Sequence, residues 1–299
     1  MNHFTFELSL IAVLPALALC TYVFLKDRVE KEPLGLLAIL FGAGAVAYIP
    51  STLIENLILK LIGNCFADAM EATAEGFIQF VSPDAQYGYT ALCAFFGFSL
   101  IRICIQWTVL FLITYRNKHF NYLFDGVVYS VFVSLGFVVA ENVHFLLQND
   151  SELLLPKLIT SVPCQLFIGI IMGYFYTMAH MRFAANVIED KLLRSGTVQK
   201  DNIRSSAPWT VFGIAIPFLA SGLYALAGSV RNDLFSTFFY LLVFVVFGVS
   251  FYLINQIASG DVSYGKYLYR MIAKAHPELS PEKIQEIEMY TAEAKEDVK

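Results

Sequence analysis

The sequence predicts an all-α membrane protein, a polytopic bundle of about seven transmembrane helices with its N-terminus outside and its C-terminus inside. The composition does not suit a soluble globular domain. Mean hydropathy is +0.61, and of 299 residues 57% are hydrophobic and only 15% charged. Seven apolar segments approach or exceed the roughly 20 residues a spanning helix needs. They lie near 5–25, 35–62, 88–114, 125–148, 157–180, 209–228 and 234–257. The basic residues then alternate from loop to loop, which sets the orientation.

Lys26, Arg28 and Lys31 sit in the first turn, and Arg116 and Lys118 follow the third span. The connection 181–208 holds Arg182, Lys191, Arg194, Lys200 and Arg204, and the tail beyond 258 holds six more, so sixteen of the twenty basic residues share one side. The opposite loops are poor in them. Residues 64–87 have no Lys or Arg but four acids, Asp68, Glu71, Glu75 and Asp84, and Lys157 and Arg231 are single bases. The net charge of -5 says little beside this distribution. The N-terminus lacks the basic region of a signal peptide, and Leu19 before Cys20 is too large for a lipoprotein cleavage site, so the first span is retained. Five cysteines without a CxxC pair give no metal framework, and spacing cannot fix a Cys65–Cys93 bridge. The organisation expected is a bundle over 1–260 and a cytoplasmic helical tail over 261–299.

In chain order, the first turn closes at Glu32-Pro33, since proline disfavours helix in the residue before it. The second span opens on small residues, GAGAVA (42–47), is kinked at Ile49-Pro50, and carries Glu55. The preferred reading of Glu55 is local neutralisation by Lys60; the other places Glu55 at the polar centre of the bundle. Residues 64–87 form an outer, partly helical surface loop. The third span puts Arg102 and Gln106 on one face.

The fourth segment, Asp125 to Leu147, organises the rest. Steps of four, four, three and four from Gly126 reach Ser130, Ser134, Phe137 and Glu141, one helical face whose small residues admit a close neighbour. Glu141 therefore points into the bundle. A carboxylate there costs about 2.5–3.5 kcal/mol on insertion scales and marks a functional site by default. The fifth span contains Pro163, Gln165 and the pair Gly169/Gly173, a GxxxG spacing that is a weak dimerisation signal. The connection 181–208 reads as a short interfacial helix ending at Gly196. The sixth span carries Pro217, Ser221 and Gly222. In the tail, Ser280, Pro281 and Glu282 give the start of a solvated helix.

Several of these stretches arrive in an order that resembles the PrsW family of intramembrane metalloproteases. They are KDRVEKEPLGLL (26–37), IPSTLIE (49–55), YRNKHFNYLFDGVVYSVFVSLGFVVAEN (115–142), SVPCQLFIGIIMGY (161–174) and IPFLASGLY (216–224). The resemblance implies a metal held by EExxK in the third span, FxxxE in the fourth, a histidine in the fifth and HxxxD in the sixth, activating water for amide hydrolysis. Of these, Phe137-Val-Val-Ala-Glu141 survives. The two glutamates fall on Arg102 and Ile103, the lysine on Gln106, the fifth-span histidine on Gln165, and the sixth-span histidine and acid on Ser221 and Ala225.

Arginine is a permanent cation with donors only, so it repels a metal and attracts Glu141. Arg102 lies ~20 Å and Glu141 ~24 Å from the same ends of their spans at 1.5 Å per residue, within reach of one another. The expectation is a structural Arg102–Glu141 pair and no metal. Other chemistries are weaker. Glu141 and His144 form ExxH, but a di-iron site needs further carboxylates. His180 is read as interfacial, and Ser221 has no histidine base at its depth.

Three functions follow in order. The first is a PrsW-like protein without catalysis that binds or regulates a membrane-embedded partner. The second is an active metalloprotease using zinc, and the third a transport or sensing role. Partners are the lipid bilayer and, by family resemblance, a single-span membrane protein such as an anti-sigma factor. No nucleic-acid patch or phosphate loop is present, and the location implied is the bacterial plasma membrane.

Overall fold

The computed structural model describes residues 3–27, 29–77, 97–115, 117, 119–148, 154–199, 201–229, 233–277 and 279. These form eight helices: α1 His3–Lys26, α2 Leu34–Phe77, α3 Ser99–Thr114, α4 Asp125–Gln148, α5 Leu154–Arg194, α6 Ala207–Ser229, α7 Asp233–Ser259 and α8 Tyr264–Ala275. The chain is a helical membrane bundle. Five helical stretches are long and apolar enough to cross a membrane, lying within α2, α4, α5, α6 and α7, and two shorter apolar helices, Leu10–Lys26 and Ser99–Thr114, stand beside them. The Cys65–Cys93 pairing, residues 78–87 of the 64–87 loop and the helix from Ser280 lie outside the described residues.

α4 is the axis. Every residue from Asp125 to Val139 is buried, and α1, α2, α3 and α5 all pack on it. Glycine permits the two closest approaches. A side chain on Gly173 would strike the Gly126 backbone, and one on Gly126 would strike the Thr177 hydroxyl. On the other side, Gly44 of α2 abuts the Val133 carbonyl while Gly136 of α4 abuts Phe41. The GxxxG pair of α5 is therefore used inside the chain, against α4. Small residues let backbones meet where lipid offers no hydrophobic drive.

Two expectations need correction. The connection 181–208 does not begin a separate interfacial helix; α5 continues unbroken through 41 residues to Arg194. No Gly or Pro interrupts 174–194, and Met181, Ala185, Ile188 and Leu192 bury one stripe of it. The end falls where expected: Gly196 adopts φ 73, and Thr197 N donates to Leu192 O at 3.0 Å, a glycine-capped terminus. The second span also outruns its bounds, since α2 passes through Pro50 and on to Phe77.

Beyond α5, Glu189 is buried and accepts from the backbone N–H groups of Asn202 (2.8 Å) and Ile203. It also contacts the buried His276 ring. That carboxylate ties the α5–α6 connection and the end of α8 to one point. α8 lays Leu268 and Ile272 into the core and exposes Lys266, Arg270 and Lys274.

Candidate functional site

Glu141 lies two-thirds of the way along α4, where that helix meets α2, α3 and the start of α5. The Arg102 guanidinium of α3 donates from Nη1 to Glu141 Oε1 at 3.2 Å. It also grips Glu55 of α2 with two N–H groups, Nε to Oε1 at 2.9 Å and Nη2 to Oε2 at 3.3 Å. Ser51, one turn before Glu55, donates to the same Oε1 at 2.8 Å. Lys157, in the first turn of α5, completes the group with Nζ 2.7 Å from Glu141 Oε1. Two carboxylates thus face two cations.

Glu55 is therefore a partner of Arg102, and the local pairing with Lys60 is overturned. Five residues turn a helix by about 500°, which leaves positions 55 and 60 some 140° apart. Lys60 is exposed, while Glu55 is 7% exposed. Lys157 was legible as a lone base but not as a site residue. Its long arm brings Nζ within 2.7 Å of Glu141 Oε1, the manner in which lysine extends an apolar stem to a polar target.

One turn along α3 from Arg102 the chemistry becomes neutral. Gln106 is buried, and its Oε1 accepts from Ser134 Oγ of α4 at 2.9 Å and from Gln165 Nε2 of α5 at 2.8 Å. Two positions where the resemblance puts lysine and histidine are thus bonded to each other. Ile103 is buried in the core at 1% exposure. Ser221 and Ala225 are half-buried on α6, and no described hydrogen bond or ion pair links Ser221 to Glu141.

His144 and His180 are engaged elsewhere. His144 Nδ1 is 2.8 Å from the Tyr48 hydroxyl. His180 stands mid-helix among Tyr115, Phe120, Tyr176 and Tyr264. Asn142, beside Glu141, accepts from Ser161 Oγ at 3.1 Å. An apolar cavity of about 230 Å³ opens between α5, α6 and α7, lined by Cys164, Phe167, Leu223, Tyr224 and Phe239 among others. Tyr224 is joined to α5 through Thr160, 3.0 Å away.

A catalytic metal requires free carboxylate or imidazole electron pairs and an open coordination position. Here Glu141 Oε1 faces an ammonium and a guanidinium, and both oxygens of Glu55 face guanidinium N–H groups. Three of the four carboxylate oxygens of Glu55 and Glu141 thus face cationic donors.

The family described as PrsW family intramembrane metalloprotease matches residues 32–251. The chain belongs to the PrsW family. It is 26% identical over 237 residues to the protein named Protease PrsW of Bacillus subtilis (strain 168), covering 79% of this chain and 87% of that one. The Protease PrsW of Geobacillus kaustophilus is 30% identical over 174 residues, 58% of this chain and 67% of its own length. That of Clostridioides difficile is 31% identical over 173 residues, 56% of this chain and 64% of its own. No solved structure matches. The matched region runs from just before α2 into α7 and contains all four members of the charged group. It makes the chain a bacterial multi-pass membrane protein of protease type.

Proposed function

We propose that this PrsW protein is not a protease in its own right but holds a membrane-embedded partner, a single-span membrane protein. The observation that carries this reading is the position of Arg102. It stands on a metal-ligand position of the family pattern and forks onto Glu55 while reaching Glu141. With Lys157 added, the four side chains sum to zero formal charge. A divalent ion would add two positive charges to a balanced group and displace cations already seated there.

The fixed charges favour a structural role for the group: it locks α2, α3, α4 and α5 together at one level. A partner helix would then meet the apolar cavity between α5, α6 and α7. Apolar side chains of such a helix pack there without a polar cost.

The test is metal analysis of purified protein together with a cleavage assay on single-span substrates of an active relative. The expected result is no stoichiometric zinc and no cleavage, with substrate retained on the protein in a pull-down. Cleavage that a chelator abolishes would replace this reading with an active metalloprotease.

A further inference from the structure

At the end of the bundle that carries the basic loops, the α1–α2 turn meets the start of α4. Asp27 and Glu32 of the turn and Asp125 of α4 are buried, at 1%, 6% and 0% exposure. Each keeps one oxygen without a hydrogen-bond partner: Asp27 Oδ2, Glu32 Oε2 and Asp125 Oδ1. The other oxygen of Asp125 is occupied by the backbone N–H groups of Asn121 and Tyr122, at 2.6 and 2.7 Å. Tyr129, one turn along α4 and fully buried, sets its hydroxyl beside Glu32, close enough to favour the Glu32 carboxylate though short of full hydrogen-bond geometry.

Among the described residues, every charged neighbour but one deepens the imbalance. Glu30 lies on the same turn and Asp261 on the link between α7 and α8. Against these five acids stands Lys31, exposed and stacked 5.1 Å from the Phe24 ring centroid. Buried carboxylates that each keep an unpartnered oxygen cannot all stay ionised side by side. Among the described residues no three His, Cys, Asp or Glu side chains are arranged to hold a metal ion. The occupant that fits three partnerless oxygens and a phenol is hydrogen.

We propose that this pocket is a proton-dependent latch: protons on Asp27 and Glu32 seat the α1–α2 turn on α4, and their release frees the turn. On release the O–H bond of each carboxylic acid breaks, the proton passes to water and the electron pair stays on the carboxylate. Two new anions then face Asp125, with Lys31 the one described cation beside Asp27 to offset them. Burial, and then Asp261, push Asp27 up to about 6. Burial pushes Glu32 up to about 7, against the opposing pull of Tyr129. The folded form therefore binds protons more tightly than the free turn does. The stabilisation is complete below the ordinary values of 3.8 and 4.5, and is lost as pH rises through about 6 for Asp27 and about 7 for Glu32. The turn runs directly into α2, which carries Glu55, so its release reaches the charged group through a continuous helix.

Hydrogen exchange of the full-length protein in nanodiscs tests this, read on peptides covering 26–36 and corrected for the intrinsic rate. Protection of the turn should fall roughly tenfold or more between about pH 5 and about pH 8, a tenfold change corresponding to one pKa unit. Peptides from α4 and α5 should not change. The Asp27→Asn, Glu32→Gln protein should hold its protection across the range. Flat protection in the wild type, a loss shared by all helices, or an unchanged slope in the variant would each overturn the latch. Infrared spectra of the wild type give a second reading that needs no variant. The carbonyl band of protonated carboxylic acid should fade over the same interval, and its absence at about pH 5 would also overturn the proposal.

Discussion

The Lys157 ammonium approaches Glu141 more closely, at 2.7 Å, than the Arg102 guanidinium does, at 3.2 Å. Arg102 instead gives its better bonds to Glu55. The pair that depth arithmetic suggests is thus one edge of a four-membered group, and the edges are unequal. Glu141 has two cations to draw on, whereas among the described residues Glu55 has only Arg102.

This inequality predicts a double-mutant pattern. Removing one partner of a buried ion pair costs about 3–5 kcal/mol, because the other charge is stranded. Arg102→Leu should therefore lower folded yield and melting temperature sharply by stranding Glu55. Adding Glu55→Leu should recover more of that loss than adding Glu141→Leu, which leaves Lys157 unpaired. Equal recovery, or purely additive losses in both cycles, would mean that the bidentate contact does not dominate.

A second prediction concerns the close approach of α4 and α5. Gly173→Ala places a methyl group against the Gly126 backbone, and Gly126→Ala places one against the buried Thr177 hydroxyl. Overpacking of this kind costs about 1–3 kcal/mol, and more where backbone must shift. Gly35→Ala, where the added carbon meets nothing within 4 Å, is the control and should be neutral. A thermal unfolding series in one detergent separates the two classes.

These contacts mark how far the sequence was legible. The face built from Gly126, Ser130, Ser134 and Glu141 follows from the helical period alone, and so does the inward direction of Glu141. Placement of Gln106 beside Gln165 was reachable only by analogy, since neither span encodes its neighbour. Glu55 was misassigned because a nearby lysine in sequence outweighed rotation around the helix. The continuous α5 was missed for a different reason. A charged segment after a span reads as a change of environment, whereas the buried stripe of Met181, Ala185, Ile188 and Leu192 shows its apolar face still packed on protein.

The orientation of the bundle is a third testable matter. The alternation of basic loops predicts that residues near 72 lie outside and residues near 195 inside. In a cysteine-free background, Ala72→Cys should react with a membrane-impermeant maleimide on intact cells. Ser195→Cys, at an exposed position, should react only after permeabilisation. The reverse pattern would invert the side on which the acidic latch reports pH.

The last prediction bears on catalysis. Wild-type protein should leave the single-span substrates of an active relative intact, and Glu141→Gln should change thermal stability while changing no cleavage. The absence of activity is expected to follow from missing ligands and seated cations, not from a blocked path to the site. Replacing Arg102→Glu, Ile103→Glu, Gln106→Lys, Gln165→His, Ser221→His and Ala225→Asp together restores the family pattern around Glu141. Single replacements should lower folded yield without metal binding, since each adds an unpaired charge or a lone ligand to the membrane interior. Arg102→Glu is the most costly of them, because it sets a third carboxylate against Glu55 and Glu141 and leaves Lys157 as the one cation among the described residues there. In the combined variant Lys157 still holds Glu141 Oε1, so zinc should bind more tightly once Lys157→Met removes that competitor. Cleavage by the untouched wild type, lost in Glu141→Gln and under a chelator, would show that the charged group opens to accept a metal, and the non-catalytic reading would fall.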